Sequence, residues 1–263
     1  MLYICQYLNL EVLSELSLFI VIGMSVGSFL NVLIYRLPKE ESIIFPSSYC
    51  SHCNKSISWY HNIPIISFII LRGISSCCNK KISLSYPVVE ISSLLLWIWS
   101  FYYITGTFNH ILFLFMSSCL LVIIFTDYNH FFIPIQLNIA MFLCCLISFY
   151  YLGTYNIKTH FFSMLLLSGY FLVLMLLIGF LLKKDAMGYG DIILIGVMGF
   201  WLGLIDGLII IFMASVLSII HWFFLKFINK KEEVILPFGS TISLSGILIY
   251  ILKITLHIDT NFF

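Results

Sequence analysis

The chain has 263 residues, of which 61% are hydrophobic and 10% charged, where a soluble domain carries about 25% charged residues. A soluble fold cannot hide that much apolar surface, and a net charge of +1 with 17% aromatic residues excludes disorder, a nucleic-acid-binding surface and a secreted disulfide scaffold. The composition is that of an integral membrane protein.

A membrane-spanning helix needs roughly 20 apolar residues, within a range of about 17 to 25. Uncharged runs of this kind lie near 14–35, 88–105, 111–126, 133–152, 161–182, 191–205, 207–228 and 237–256, the sixth being short. The expected fold is all-α, about eight transmembrane helices with one cytoplasmic loop subdomain. A first helix falls within 1–35, a Cys-containing loop within 36–87, and a seven-helix domain within 88–263. No small-residue cleavage site follows the first run, so it is expected to stay as an anchor. Pro87, Pro134 and Pro237 sit at or near expected helix starts, where a missing N–H costs little. The long runs do not alternate as β-barrel strands would.

Lysine and arginine give the orientation. Arg36, Lys39, Lys55, Arg72, Lys80 and Lys81 lie in the first loop, Lys183 and Lys184 follow the fifth segment, and Lys226, Lys230 and Lys231 follow the seventh. With eight crossings all three regions share one face, expected to be cytoplasmic, and only Lys158 and Lys253 lie towards the other.

Carboxylates at membrane depth are costly and point to function. Asp127 ends the third segment and Asp191 opens the sixth, within Gly188-Tyr189-Gly190-Asp191. Two crossings separate them, so both fall at the same depth and can meet if those helices are neighbours. Taken singly, Asp191 reads equally as a helix N-cap and Asp127 as a solvated turn residue. Asp206 is expected in an outer turn, and Glu90 near a helix N-terminus that favours an anion. Gly188 and Gly190 admit backbone conformations closed to other residues and let a substrate strand approach. Two paired aspartates sharing one proton activate water as base and acid on a scissile carbonyl. His130, three residues past Asp127, is expected at the surface.

These segments occur together in an order that resembles the type IV prepilin peptidases, membrane aspartic proteases of the Gly-x-Gly-Asp type. The resemblance is carried by the stretch from Gly27-Ser28-Phe29-Leu30-Asn31 to Arg36-Leu37-Pro38, by Cys50-Ser51-His52-Cys53, and by Trp59-Tyr60-His61-Asn62-Ile63-Pro64. Leu71-Arg72-Gly73, Tyr86-Pro87-Val88-Val89-Glu90, Asp127, Gly188 to Asp191 and Pro237-Phe238-Gly239 complete it. It implies an aspartic endopeptidase of the bacterial inner membrane, cutting the basic leader from prepilins or pseudopilins on the cytoplasmic side. Asp127 and Asp191 match the catalytic aspartates, with Gly188 and Gly190 supporting the loop. Many members also methylate the new N-terminus with S-adenosylmethionine, for which Glu90 is the candidate here.

The chain departs from the family in its cysteines. The usual two Cys-x-x-Cys pairs suit a four-thiolate zinc site; here Cys50 and Cys53 keep the first, while Ser75 stands at the first position of the second, with Cys77 and Cys78 beyond it. Zinc held by Cys50, Cys53, Cys78 and either Cys77 or His52 is one reading; reduced cysteines without metal are the other. Ile193 stands where the family has lysine, and Ile135 where it has Asp or Asn. The alternatives to a peptidase are a degenerate homologue that only binds pilins and a transporter using the aspartates as ion ligands, although no internal repeat is visible. The expected partners are prepilin or pseudopilin substrates and the lipid bilayer, with no nucleic acid; the sequence leaves the oligomeric state open.

Overall fold

A computed structural model describes residues 10–153, 157–183, 187–228 and 236–256. Lys184, Lys230, Lys231 and residues 1–9 lie outside the described residues. Among the described residues nine α-helices follow in order: α1 Leu10–Arg36, α2 Ile66–Ile70, α3 Ser85–Tyr103, α4 Thr107–His130, α5 Ile135–Leu152, α6 Ile157–Leu182, α7 Tyr189–Leu202, α8 Leu204–Phe223 and α9 Phe238–Thr255. All but α2 correspond to the eight apolar runs. Five of them (α1, α4, α6, α8 and α9) are long and apolar enough to cross a membrane. α5 and α7 are apolar but shorter, and α3 carries Glu90 and four serines that lower its hydropathy. Helix starts agree with the prolines: Pro134 and Pro237 are the N-caps of α5 and α9, and Pro87 lies in the first turn of α3.

The chain divides into two compact units, Met1–Leu114 and Phe115–Phe263. In the first, α1 packs along α3 through small residues. A Cβ added to Gly23 would lie 2.8 Å from the Trp97 side chain, and one on Gly27 would lie 2.7 Å from the Glu90 Cα. The Gly23-x-x-x-Gly27 spacing thus lets the two backbones close up, as it does in membrane helix pairs. Ser93 Oγ donates to Gly23 O at 2.8 Å across the same seam. At the end of α1 the buried Arg36 gathers the returning loop, its guanidinium donating to Ser42 O at 2.8 Å and Pro46 O at 2.7 Å.

In the second unit α7 is the core, packed by α5, α6, α8 and α9. Its eight consecutive residues from Leu194 to Trp201, together with Ile192, are buried. At about 1.5 Å per residue a helix this short spans only about 21 Å, less than the bilayer core, and it is surrounded by protein instead of lipid. Gly196 and Gly199 admit α6: added Cβ atoms would lie 3.2 Å from Ser168 Cβ and 3.2 Å from Ser163 O.

Asp206 departs from its expected place in an outer turn. The break between α7 and α8 falls at Gly203, whose φ of +89° suits glycine, so Asp206 lies in the first turn of α8. It is 2% exposed and paired with Lys253 Nζ at 2.7 Å. A carboxylate buried this far needs a cation, and α9 supplies it.

Candidate active site and cysteine cluster

Asp127 lies in the last turn of α4, whose end is set by Phe131 in the left-handed region, its N–H donating to Asp127 O at 2.9 Å. Its side chain is buried, 5% exposed, and so is not a solvated turn residue. Asp191 is the third residue of α7; the N-cap is Gly188, so Asp191 does not cap the helix.

The start of α9 joins the two. Ser240, third residue of α9, donates its N–H to Asp127 Oδ2 at 2.7 Å, and its Oγ lies 3.1 Å from the same oxygen and 2.9 Å from Ile124 O. First-turn N–H groups have no partner within their own helix and carry the positive end of its dipole, so the carboxylate of α4 satisfies the terminus of α9. A Cβ on Gly239 would lie 3.1 Å from Asp127 Oδ2 and 3.1 Å from Asp191 Oδ1. The two oxygens are therefore no more than twice 3.1 Å apart. Asp191 Oδ1 is buried with no hydrogen-bond partner among the described residues.

Gly188 and Gly190 serve space. Neither has a positive φ, Gly188 being extended at −75°, so the expectation of special backbone conformations does not hold. A Cβ on Gly190 would lie 3.0 Å from Ile133 Cβ, and one on Gly239 would collide with Ile133 Cδ1. Ile133, half-buried, thus fills the gap between the two glycine-bearing helix starts. Ser240 and Ile133 were not singled out by sequence reasoning; the nearest signal was Pro237-Phe238-Gly239, which Ser240 follows directly. Ile193 and Ile135 are exposed, and among the described residues no ion pair reaches either aspartate. His130 is exposed, as expected.

In the first unit Cys50, Cys53, Cys77 and Cys78 bring their Sγ atoms within 4.8 Å of one another, and His52 is not in the group. The two halves are the same turn used twice. Cys50 N–H donates to Lys55 O and Asn54 N–H to Cys50 O, both at 2.9 Å; Ser75 N–H donates to Lys80 O at 2.8 Å and Asn79 N–H to Ser75 O at 2.9 Å. Asn54 and Asn79 both take left-handed φ, and each turn is closed by one antiparallel bridge, Tyr49 with Ser56 and Ile74 with Lys81. Ser75 therefore occupies the place of Cys50, and Cys77 the place of His52.

Cys77 nevertheless turns inward, 3.1 Å from Cys53 Sγ, while Cys50 and Cys78 are 3.8 Å apart. Tetrahedral zinc with bonds of about 2.3 Å spaces its thiolates about 3.8 Å apart; the Cys50–Cys78 separation matches this, the Cys53–Cys77 one is shorter, and four thiols form a donor set of the kind zinc takes. Burial pushes the Cys50 thiol up, but the Ser75 hydroxyl, the His52 and Cys53 amides and the Cys77 thiol outweigh it and bring it down to about 6. For Cys53 the Lys55 amide lowers, but the Cys77 thiol, burial and the other two thiols raise it to about 11.

Glu90, in the second turn of α3, is buried, and its Oε2 accepts the Ile65 N–H at 2.6 Å.

Residues 21–104 match the Bacterial Peptidase A24 N-terminal domain, and residues 114–223 match the Type IV leader peptidase family. The chain is similar to a prepilin leader peptidase/N-methyltransferase of Legionella pneumophila, 28% identical over 88% of this chain and 90% of the relative. A protein of the same name from Klebsiella pneumoniae is 32% identical over 69% of this chain and 82% of its own. One from Vibrio cholerae is 27% identical over 89% and 96%. No solved structure matches the chain.

Proposed function

Because the chain belongs to the type IV leader peptidase family, we propose that it is a multi-pass aspartic endopeptidase of the bacterial inner membrane, removing the basic leader from type IV prepilins or pseudopilins with Asp127 and Asp191 as its catalytic pair. The observation that carries this is the meeting of both carboxylates at Gly239. Two ionised carboxylates so near one another repel, and one of them holds a proton. Two donors on Asp127 Oδ2 favour its ionised form, and the buried, unpartnered Oδ1 of Asp191 is suited to the proton.

In this reading Asp127 takes a proton from water as its oxygen attacks the scissile carbonyl carbon, and Asp191 gives its proton to the carbonyl oxygen. The C–N bond then breaks, the departing amine takes the proton held by Asp127, and the carbonyl reforms as the proton returns to Asp191. Gly188 and Gly190 keep the approach to Asp191 open. In this arrangement every helix but α2 is a crossing, the short α7 held inside the protein, and the lysine and arginine of the loops support a cytoplasmic side for the aspartates. The leader stays there while the apolar helix of the prepilin remains in the bilayer.

The 36–87 loop lies between the first helix, within 1–35, and the helices of 88–263. At that size a structural metal is the usual support; zinc on Cys50, Cys53, Cys77 and Cys78 would tie its two turns together. The relatives' names add N-methyltransferase, and the proposed second activity is methylation of the new N-terminus. S-Adenosylmethionine would supply the methyl group, and Glu90, through its bond to Ile65, shapes the loop side assigned to that step.

The test is cleavage of a prepilin in membranes by the wild type and by Asp127→Asn and Asp191→Asn, with the product N-terminus weighed by mass spectrometry. Cleavage by the wild type and failure of both inserted variants is the expected result; normal cleavage by either variant removes the pair. A product heavier by one methyl group establishes the second activity.

A further inference from the structure

The loop of the first unit contains a helix whose faces are the wrong way round for water. In α2 the polar Ser67 points inward, its hydroxyl donating to Ile63 O, and Phe68 folds back over Gly73. Ile69 and Ile70 point outward, 67% and 73% exposed, with Ile66 beside them. The single turn just before it, Trp59–Asn62, exposes Trp59 by 79% and Tyr60 by 52%. A segment bathed in water would bury the isoleucines and expose the serine.

Its depth is fixed by Glu90. The carboxylate holds the N–H of Ile65, the residue that starts α2. Ile65 has a φ of 63°, a region that a β-branched residue enters only when its surroundings compel it. Glu90 is the sixth residue of α3, about 8 Å along that helix at about 1.5 Å per residue. Val88 and Ile91, either side of it, also face outward, so α3 presents an apolar face at this level. α2 begins at the same level.

We propose that Trp59, Tyr60 and the outward face of α2 are an interfacial anchor that seats the cysteine-bearing loop in the lipid of the leaflet on its own side of the membrane. Aromatic residues with a polar edge favour that boundary, and apolar faces bury in it. Arg72, which follows α2, and Lys80 and Lys81 are exposed and supply the cations that such a surface uses against anionic headgroups. The occupant is lipid, because the level is set by a helix whose own outward residues are apolar. Glu90 is then a positioning residue, converting the place of α3 in the bilayer into the depth of α2. The inference rests on the reading of α3 as a crossing.

The experiment uses the full chain in vesicles of phosphatidylethanolamine and phosphatidylglycerol, with a genetically encoded fluorescent amino acid at one position at a time: Ile70, Leu95 on the exposed face of α3, and Lys80. Brominated lipid quenches from the bilayer and iodide from the water. The expected result is loss of emission at positions 70 and 95 to brominated lipid, and at 80 to iodide. Quenching of position 70 by iodide, with 95 still quenched by lipid, overturns the anchor and leaves the crossing intact. Shielding of position 70 from both quenchers shows a protein cover and also overturns it. A position 95 that lipid does not quench removes α3 from the bilayer, and the depth argument with it.

Discussion

Ser240 directs both its backbone N–H and its hydroxyl at one oxygen of Asp127, at 2.7 Å and 3.1 Å. The hydroxyl also lies 2.9 Å from Ile124 O, so its single proton is divided between two acceptors, whereas the N–H has one. Ser240→Ala keeps the N–H and removes the hydroxyl. A hydrogen bond to a charged group is worth about 1.5–3 kcal/mol, and a shared one belongs at the lower end. Leader cleavage is expected to fall about tenfold with insertion unchanged; a Ser240→Ala enzyme as fast as wild type shows that the N–H alone sets Asp127.

At Gly239 a single methyl group would crowd both aspartates at once. Its Cβ would stand 3.1 Å from an oxygen of each aspartate and run into Ile133 Cδ1. A displacement of about 1 Å at a catalytic centre costs about 100-fold, and Gly239→Ala is expected to lose at least about that much. Pairing it with Ile133→Ala relieves the apolar collision and leaves the methyl group beside the carboxylates. The double variant is expected to regain thermal stability without regaining cleavage; recovery of both assigns the Gly239 effect to packing.

The helices were legible because each apolar run must be continuous to cross a bilayer, and Asp127 and Asp191 were legible as carboxylates at apolar boundaries. Spacing along the chain led to the expectation of one depth for both but said nothing about what lies between them. That role belongs to α9, more than 100 residues from Asp127 in sequence, and only packing brings Gly239 and Ser240 there. Asp206 was misplaced for a related reason: Gly203, not Asp206-Gly207, makes the turn, and its partner Lys253 comes from another helix. For the fourth thiol the sequence offered Cys77 or His52, and only the fold, which turns both adjacent cysteines into the cluster, separates them.

Asp206 and Lys253 make a pair whose loss tests architecture apart from chemistry. Removing one partner of a buried ion pair weakens the compensation of the other charge, at a cost of up to about 3–5 kcal/mol. Lys253 is partly exposed, so Lys253→Met is expected to cost about 3 kcal/mol. The measurement is unfolding in detergent, followed by cleavage per folded molecule. Stability is expected to fall while that specific activity stays near wild type. An unchanged unfolding midpoint shows that the pair adds nothing to the bundle.

The doubled turn in the loop makes a prediction about Ser75. Ser75 stands where Cys50 stands in the first turn, and Cys77, at the place of His52, brings the fourth thiol instead. If zinc is held by this rearranged set, Cys77→Ser removes a ligand, and zinc per purified chain, read by elemental mass spectrometry, falls well below one. Adding Ser75→Cys to that variant restores a thiol at the position equivalent to Cys50, with the spacing of a paired Cys-x-x-Cys site. The double variant is expected to recover the lost zinc, and Ser75→Cys alone to bind no more than wild type, because four thiolates already complete a tetrahedral site. Zinc unaffected by Cys77→Ser assigns the metal to a set without that residue, and absence of zinc from the wild type leaves the four cysteines as reduced thiols in a loop held by its backbone turns and Arg36.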